Sequence, residues 1–250
     1  MDTVYPFLAL FALYLADTGL RSNKSFWFFW AGLVMSITTY MSPINFAVVA
    51  LIVLYIFLIY VKERGSSYVA RSLWWDLSIF GVGVLSIWLF FWIFFGVSII
   101  ELTLKLDRDT IILGRSYWFW LVGDLVDFFL FGGFAAVLLA SSWPFIKRYA
   151  KLPQAVPALA ISFWLMLLLL NLSGLIRGET GRIWLMLTPF PALLAAAWIK
   201  YVTYEADVNN NVLMTRLINS GLLILLATAA LAYAITMRWQ VISLGWPSPK

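Results

Sequence analysis

Two groups of side chains in this sequence have the types and spacing to do chemistry. The first is Arg177-Gly-Glu179-Thr-Gly-Arg182, a polar connector between the apolar runs 154–174 and 183–198. Arginine donates bidentately to phosphoryl oxygens and a neighbouring carboxylate holds a guanidinium in place, so this turn suits a phosphate-bearing ligand. The same residues equally suit a solvated turn whose arginines snorkel and anchor two helices. The second group is Asp124 and Asp127, spaced one helical turn apart in an otherwise apolar run. If that helix starts near Tyr117, its rise places them roughly 10 to 15 Å inside it. Ionisable groups at such depth face a bundle interior or a wet cavity; a later start would leave both near the surface. Arg115 and Tyr117 stand at the predicted boundary of the same helix, where headgroup anchoring competes with substrate contact.

The rest of the composition narrows the chemistry. The chain has no His and no Cys, which removes the usual general base, the commonest metal ligand and all thiolate chemistry. Catalysis would therefore rest on carboxylates, Lys, Arg, Tyr or a carboxylate-bound ion. With 63% hydrophobic residues, 12% charged and a mean hydropathy of +0.92, a soluble domain is excluded. The expected fold is all-α, a polytopic transmembrane helix bundle forming a single integral membrane domain over residues 1–250. A net charge of +5 without a dense basic run suits anionic lipid headgroups and argues against nucleic acid as a partner.

About eight helices must position these residues. The chain runs straight into a first span, 4–20, with no basic n-region and no cleavage site, unlike a signal peptide. Residues 26–61 are too long for one span, and Ser42-Pro43 divides them into a hairpin of two helices, because proline lacks an amide proton and disfavours helix in the residue before it. Tyr40 and Asn45 flank that break, where they could line a cavity or tie helices together. A fourth span covers about 73–96. Residues 97–115 mix charges with Ile and Leu, as an amphipathic interfacial segment does. Further spans are expected at about 117–140, 154–174, 183–202 and 217–237. Placing the basic loop 147–151 in the cytoplasm leaves about 10 of the 17 Lys and Arg residues inside and about 7 outside. Both termini, Asp2, the 97–115 segment and the Arg177 turn then share the outer face. Asp17 and Asp76 fall near the inner boundary and read as interfacial charges.

Two strings carry a family resemblance. Arg115-Ser-Tyr-Trp-Phe-Trp-Leu-Val-Gly-Asp-Leu-Val-Asp127-Phe-Phe-Leu-Phe-Gly-Gly133 and Gly178-Glu-Thr-Gly-Arg-Ile-Trp-Leu-Met-Leu-Thr-Pro189 resemble the later half of bacterial GT-C-type membrane glycosyltransferases. The resemblance implies sugar transfer from a polyprenyl-phosphate carrier at the outer face of a bacterial-type cytoplasmic membrane. It implies Asp2, Asp124 and Asp127 as catalytic carboxylates, and Arg115, Tyr117, Arg177, Glu179 and Arg182 as substrate-binding residues. A divalent metal ion, held by Asp2, is compatible with it. One departure stands out. The family's first outer loop, with its principal carboxylate, has no counterpart here, while Asp2 resembles the family's second acidic position. The expectation is a C-terminal portion that lacks the family's N-terminal helices and pairs with that missing half, inactive alone. The competing expectation is a non-catalytic polytopic protein, a transporter-like bundle or an assembly partner; no inverted hydropathy repeat or paired broken helices are apparent in the sequence.

Overall fold

A computed structural model describes residues 4–63, 66–98, 116–141, 153–174 and 184–208. Every regular element among them is helical: α1 (Val4–Ser22), α2 (Phe26–Met41), α3 (Phe46–Glu63), α4 (Ser66–Phe95), α5 (Tyr117–Phe131), α6 (Phe134–Ser141), α7 (Ala155–Ser173) and α8 (Pro189–Val208). Short 3-10 turns at Pro43–Asn45 and Trp184–Leu187 lead into α3 and α8. Three stretches, Pro43–Lys62, Ser72–Phe95 and Ala155–Ser173, are long and apolar enough to cross a membrane. The surface has the matching character. Trp74, Trp92, Phe94 and Trp118 are exposed, while Ser36, Thr38, Thr39, Asn45 and Asp124 are buried. Large apolar side chains outside and polar ones inside is the arrangement a hydrocarbon solvent selects.

The proline-broken hairpin forms as expected. Ser42 leaves the helix in extended geometry (φ −154°, ψ 111°), and Pro43 opens the 3-10 turn, where its missing amide proton costs no hydrogen bond. Asn45, buried, donates from Nδ2 at 3.0 Å to the Thr38 carbonyl, which also accepts from the Ser42 amide at 2.9 Å, so it ties the turn to the end of α2. The two helices run antiparallel, and a single carboxylate shows it. Asp76 accepts from Ser25 Oγ, just before α2, at 2.6 Å, and from the Tyr60 hydroxyl near the end of α3.

Among the described residues the most extensive helix contact is between α2 and α4. It is built on glycine. The Gly32 and Gly83 backbones meet so closely that a Cβ at position 83 would lie 3.0 Å from Gly32 Cα and from Leu33 N. In lipid, where apolar burial gives helices no reason to associate, such close approach is what yields dispersion contact. Polar bonds reinforce it: Ser36 Oγ accepts from the Ile87 amide at 3.1 Å, and Trp88 Nε1 donates to Thr39 Oγ1 at 3.1 Å. Tyr40 stacks on Phe91 with centroids 4.3 Å apart, so the residues beside the Pro43 break tie helices together.

One expectation about the spans needs correction. The run 117–140 is not one helix: α5 ends at Phe131, Gly132 continues, and Gly133 takes φ +84° before α6 begins. Positive φ is open to glycine at no steric cost, so the Gly-Gly pair acts as a break inside an apolar run. The fourth span lies where expected, at Ser72–Phe95, on a helix that itself begins at Ser66. The interfacial segment apart from 97–98, the basic loop 147–151 and the span 217–237 lie outside the described residues.

Candidate functional site

The expected site divides between described and undescribed residues. Asp2, Arg115, Arg177, Glu179 and Arg182 lie outside the described residues, so their convergence on one cavity is a matter for experiment. Tyr117, Asp124 and Asp127 are described, and all three stand on α5. That helix begins at Tyr117, as the depth argument requires. Asp124 is therefore about 10 Å along its axis and Asp127 about 15 Å. Asp124 is 2% exposed; Asp127, three residues on, is half-buried.

Two hydrogen bonds fix α5 against α7. The Tyr117 hydroxyl donates to the Leu172 carbonyl at 2.8 Å, and Asn171 Nδ2 donates to the Leu121 carbonyl at 2.9 Å. Both acceptors are backbone oxygens, so the bonds set the register of the two helices without depending on the neighbouring side chains. The first gives Tyr117, which the sequence placed between headgroup anchoring and substrate contact, a helix–helix bond. Further along, Phe128 packs against Phe163 at 6.0 Å and Trp184 at 5.9 Å between ring centroids, and Phe163 lies 6.5 Å from Phe190. This aromatic block joins α5, α7, the 184–187 turn and α8. The Asp124 side chain is thus held on a braced helix in a protein interior, the environment in which a carboxylate is costly to keep without a use.

Several polar atoms in this half were not legible as site candidates. Asn171 Oδ1, Ser162 Oγ and Trp184 Nε1 are buried without a hydrogen-bond partner among the described residues. Their positions inside apolar runs at helical spacing made them indistinguishable from ordinary membrane-helix residues. Among the described residues no three Asp or Glu side chains gather into a metal-binding cluster. Asp2, the position to which the metal was assigned, lies outside them.

At the opposite end of the bundle stand two further carboxylates. Asp76, expected as an interfacial charge, is 6% exposed and held between α2, α3 and α4 by Ser25 and Tyr60. Asp17 on α1 accepts from the Tyr55 hydroxyl at 2.7 Å and pairs with Arg21 Nε at 2.6 Å. Tyr55 and Tyr60, five residues apart on α3, thus tie α1 and α4 to one helix. These carboxylates organise the bundle's end.

Comparison with protein-family models, with characterised proteins and with solved structures finds no match to this chain.

Proposed function

We propose that this chain is the membrane body of a GT-C-type glycosyltransferase, a multi-pass protein of a bacterial-type cytoplasmic membrane that handles a sugar carried on polyprenyl phosphate. One observation carries the reading: Asp124 is buried on a helix braced by two bonds to α7, inside the segment Arg115–Gly133 that bears the family resemblance. In the proposed reaction a carboxylate, Asp124 or Asp127, takes the proton of an acceptor hydroxyl. The acceptor oxygen then bonds to the anomeric carbon while the bond from that carbon to the phosphate oxygen breaks, and the electron pair leaves with polyprenyl phosphate. Arg177 and Arg182, oriented by Glu179, and Arg115 would stabilise the departing phosphate. A divalent ion at Asp2 would add to the same stabilisation.

The test uses the full chain reconstituted in liposomes with a photoreactive polyprenyl phosphate. Labelling should be competed by polyprenyl phosphate and not by the uncharged polyprenol. The double variant Arg177→Ala, Arg182→Ala should weaken binding at least about tenfold, the loss expected for charge-assisted hydrogen bonds. Equal competition by polyprenol would overturn the reading. The chain alone is expected to show no sugar transfer; any transfer seen with the labelled polyprenyl-phosphate sugar should fall by about 10² or more in Asp124→Asn, Asp127→Asn together.

A second reading, a transporter-like bundle, gains from the helix break at Gly132–Gly133, since broken helices line transport sites. Solute uptake by the same liposomes, unaffected by polyprenyl phosphate, would favour it.

A further inference from the structure

At the end of the bundle away from Tyr117, α1, α3, α7 and α8 do not close on one another. They leave an apolar crevice of about 400 Å³, walled chiefly by Leu13, Leu159, Leu193 and Leu194 with Tyr14 and Tyr55. Asp17 and Ala155 also line an adjoining polar mouth of about 220 Å³. Arg21 and Gln154 stand in that mouth.

The two parts ask for different things. Water in the crevice would find almost no hydrogen-bond partners, and leaving it empty would forfeit dispersion contact along its walls. In a membrane-embedded bundle the filler at hand is a hydrocarbon chain. The mouth holds acceptors that are incompletely used. Asp17 uses one lone pair on each oxygen, for Tyr55 and for Arg21, and a carboxylate has about four. Gln154 holds a buried side-chain oxygen with no donor among the described residues. Two acceptors of the mouth, Asp17 and Gln154, thus keep lone pairs that no donor among the described residues meets. The mouth is also zwitterionic, an Asp17 carboxylate beside an Arg21 guanidinium that is 73% exposed, with the N-terminal end of α7 adding a partial positive charge.

We propose that this cleft is a binding site for a phospholipid whose head group carries a primary amine: one acyl chain fills the crevice, the ammonium sits at Asp17, and the phosphate lies against Arg21 and the start of α7. Phosphatidylethanolamine has this chemistry. Its ammonium brings three N–H donors to the acceptors of the mouth, and its zwitterion matches the carboxylate–guanidinium pair. Phosphatidylcholine has the same charges and no N–H donor. Phosphatidylglycerol has the anion and no cation. The site is independent of sugar transfer and lies at the other end of α7: Gln154 and Leu172 are about 27 Å apart by helical rise.

The experiment is native mass spectrometry of the full chain, released from detergent with equal amounts of the three lipids bearing identical acyl chains. One phosphatidylethanolamine per chain should be retained, at least about tenfold over phosphatidylcholine, as the loss of charge-assisted hydrogen bonds predicts. Asp17→Asn should reduce that preference, and Ala197→Trp, which fills the crevice, should reduce retention of every lipid. Circular dichroism of both variants reports whether the bundle is intact. Equal retention of phosphatidylethanolamine and phosphatidylcholine by the unaltered chain would overturn the proposal, whatever the variants do. So would unchanged retention by a folded Ala197→Trp.

Discussion

Two glycines two positions apart on α4 should respond to the same substitution with opposite sign. At Gly81 an added Cβ meets nothing within 4 Å; at Gly83 it comes to 3.0 Å from Gly32 Cα and presses on the Phe29 carbonyl oxygen. Gly81→Ala gains helix propensity alone and should stabilise the protein by up to about 1 kcal/mol. Gly83→Ala gains the same and loses more. Relieving a 3.0 Å carbon–carbon approach to the usual 3.5–4.0 Å moves the helices apart by about 0.5 to 1 Å. The bonds from Ile87 N to Ser36 Oγ and from Trp88 Nε1 to Thr39 Oγ1, each 3.1 Å, would then stretch past hydrogen-bonding range. Overpacking costs about 1 to 3 kcal/mol, and two interhelical bonds in a membrane add about 1.2. Set against about 1 kcal/mol of propensity, the net is a destabilisation of about 1 to 3 kcal/mol. Reversible unfolding of the purified chain by SDS in mixed micelles, followed by tryptophan fluorescence and far-UV circular dichroism, measures both variants on one scale. Stabilities that agree within about 0.5 kcal/mol, the usual scatter of neutral substitutions, would refute the backbone-contact account of the α2–α4 crossing.

Further consequences follow from particular contacts. Tyr60→Phe removes one donor from the buried Asp76 carboxylate and should destabilise the bundle by about 1 to 3 kcal/mol in the same SDS titration, more than Tyr117→Phe, whose bond to Leu172 is at an exposed position and is worth about 0.5 to 1.5. Gly133→Val places a β-branched side chain at φ +84° and should cost about 1 to 3 kcal/mol, whereas Gly133→Asn should cost less, because Asn tolerates positive φ. Reporter fusions after Lys151 and after Arg182 should report opposite sides of the membrane, since one span, α7, lies between them; the same side for both would sink the alternating topology.

The sequence alone determined the solvent and the elements. A chain this apolar satisfies its backbone groups only as helices, so composition and length were sufficient for an all-α membrane bundle. Pro43 marked the hairpin because its effect is local: a missing amide proton and a restricted preceding residue act whatever surrounds them. The depth of Asp124 along its helix was legible for the same reason, once the start at Tyr117 was right. What only the tertiary structure decided concerns partners. Gly32, Gly81 and Gly83 look alike in sequence, and only the crossing of α2 over α4 distinguishes the pair in contact from the one facing open space. Asp76 read as an interfacial charge because burial depends on helices distant in the chain, here the start of α2 and the end of α3. The break at Gly132–Gly133 was masked by uniformly apolar flanks, which carry no periodic signal to interrupt. In water, amphipathic stripes reveal which face of a helix is inside. In lipid the outer face is apolar too, so which side chains meet is settled by close packing and a few polar bonds, and these exist only once the helices have been brought together.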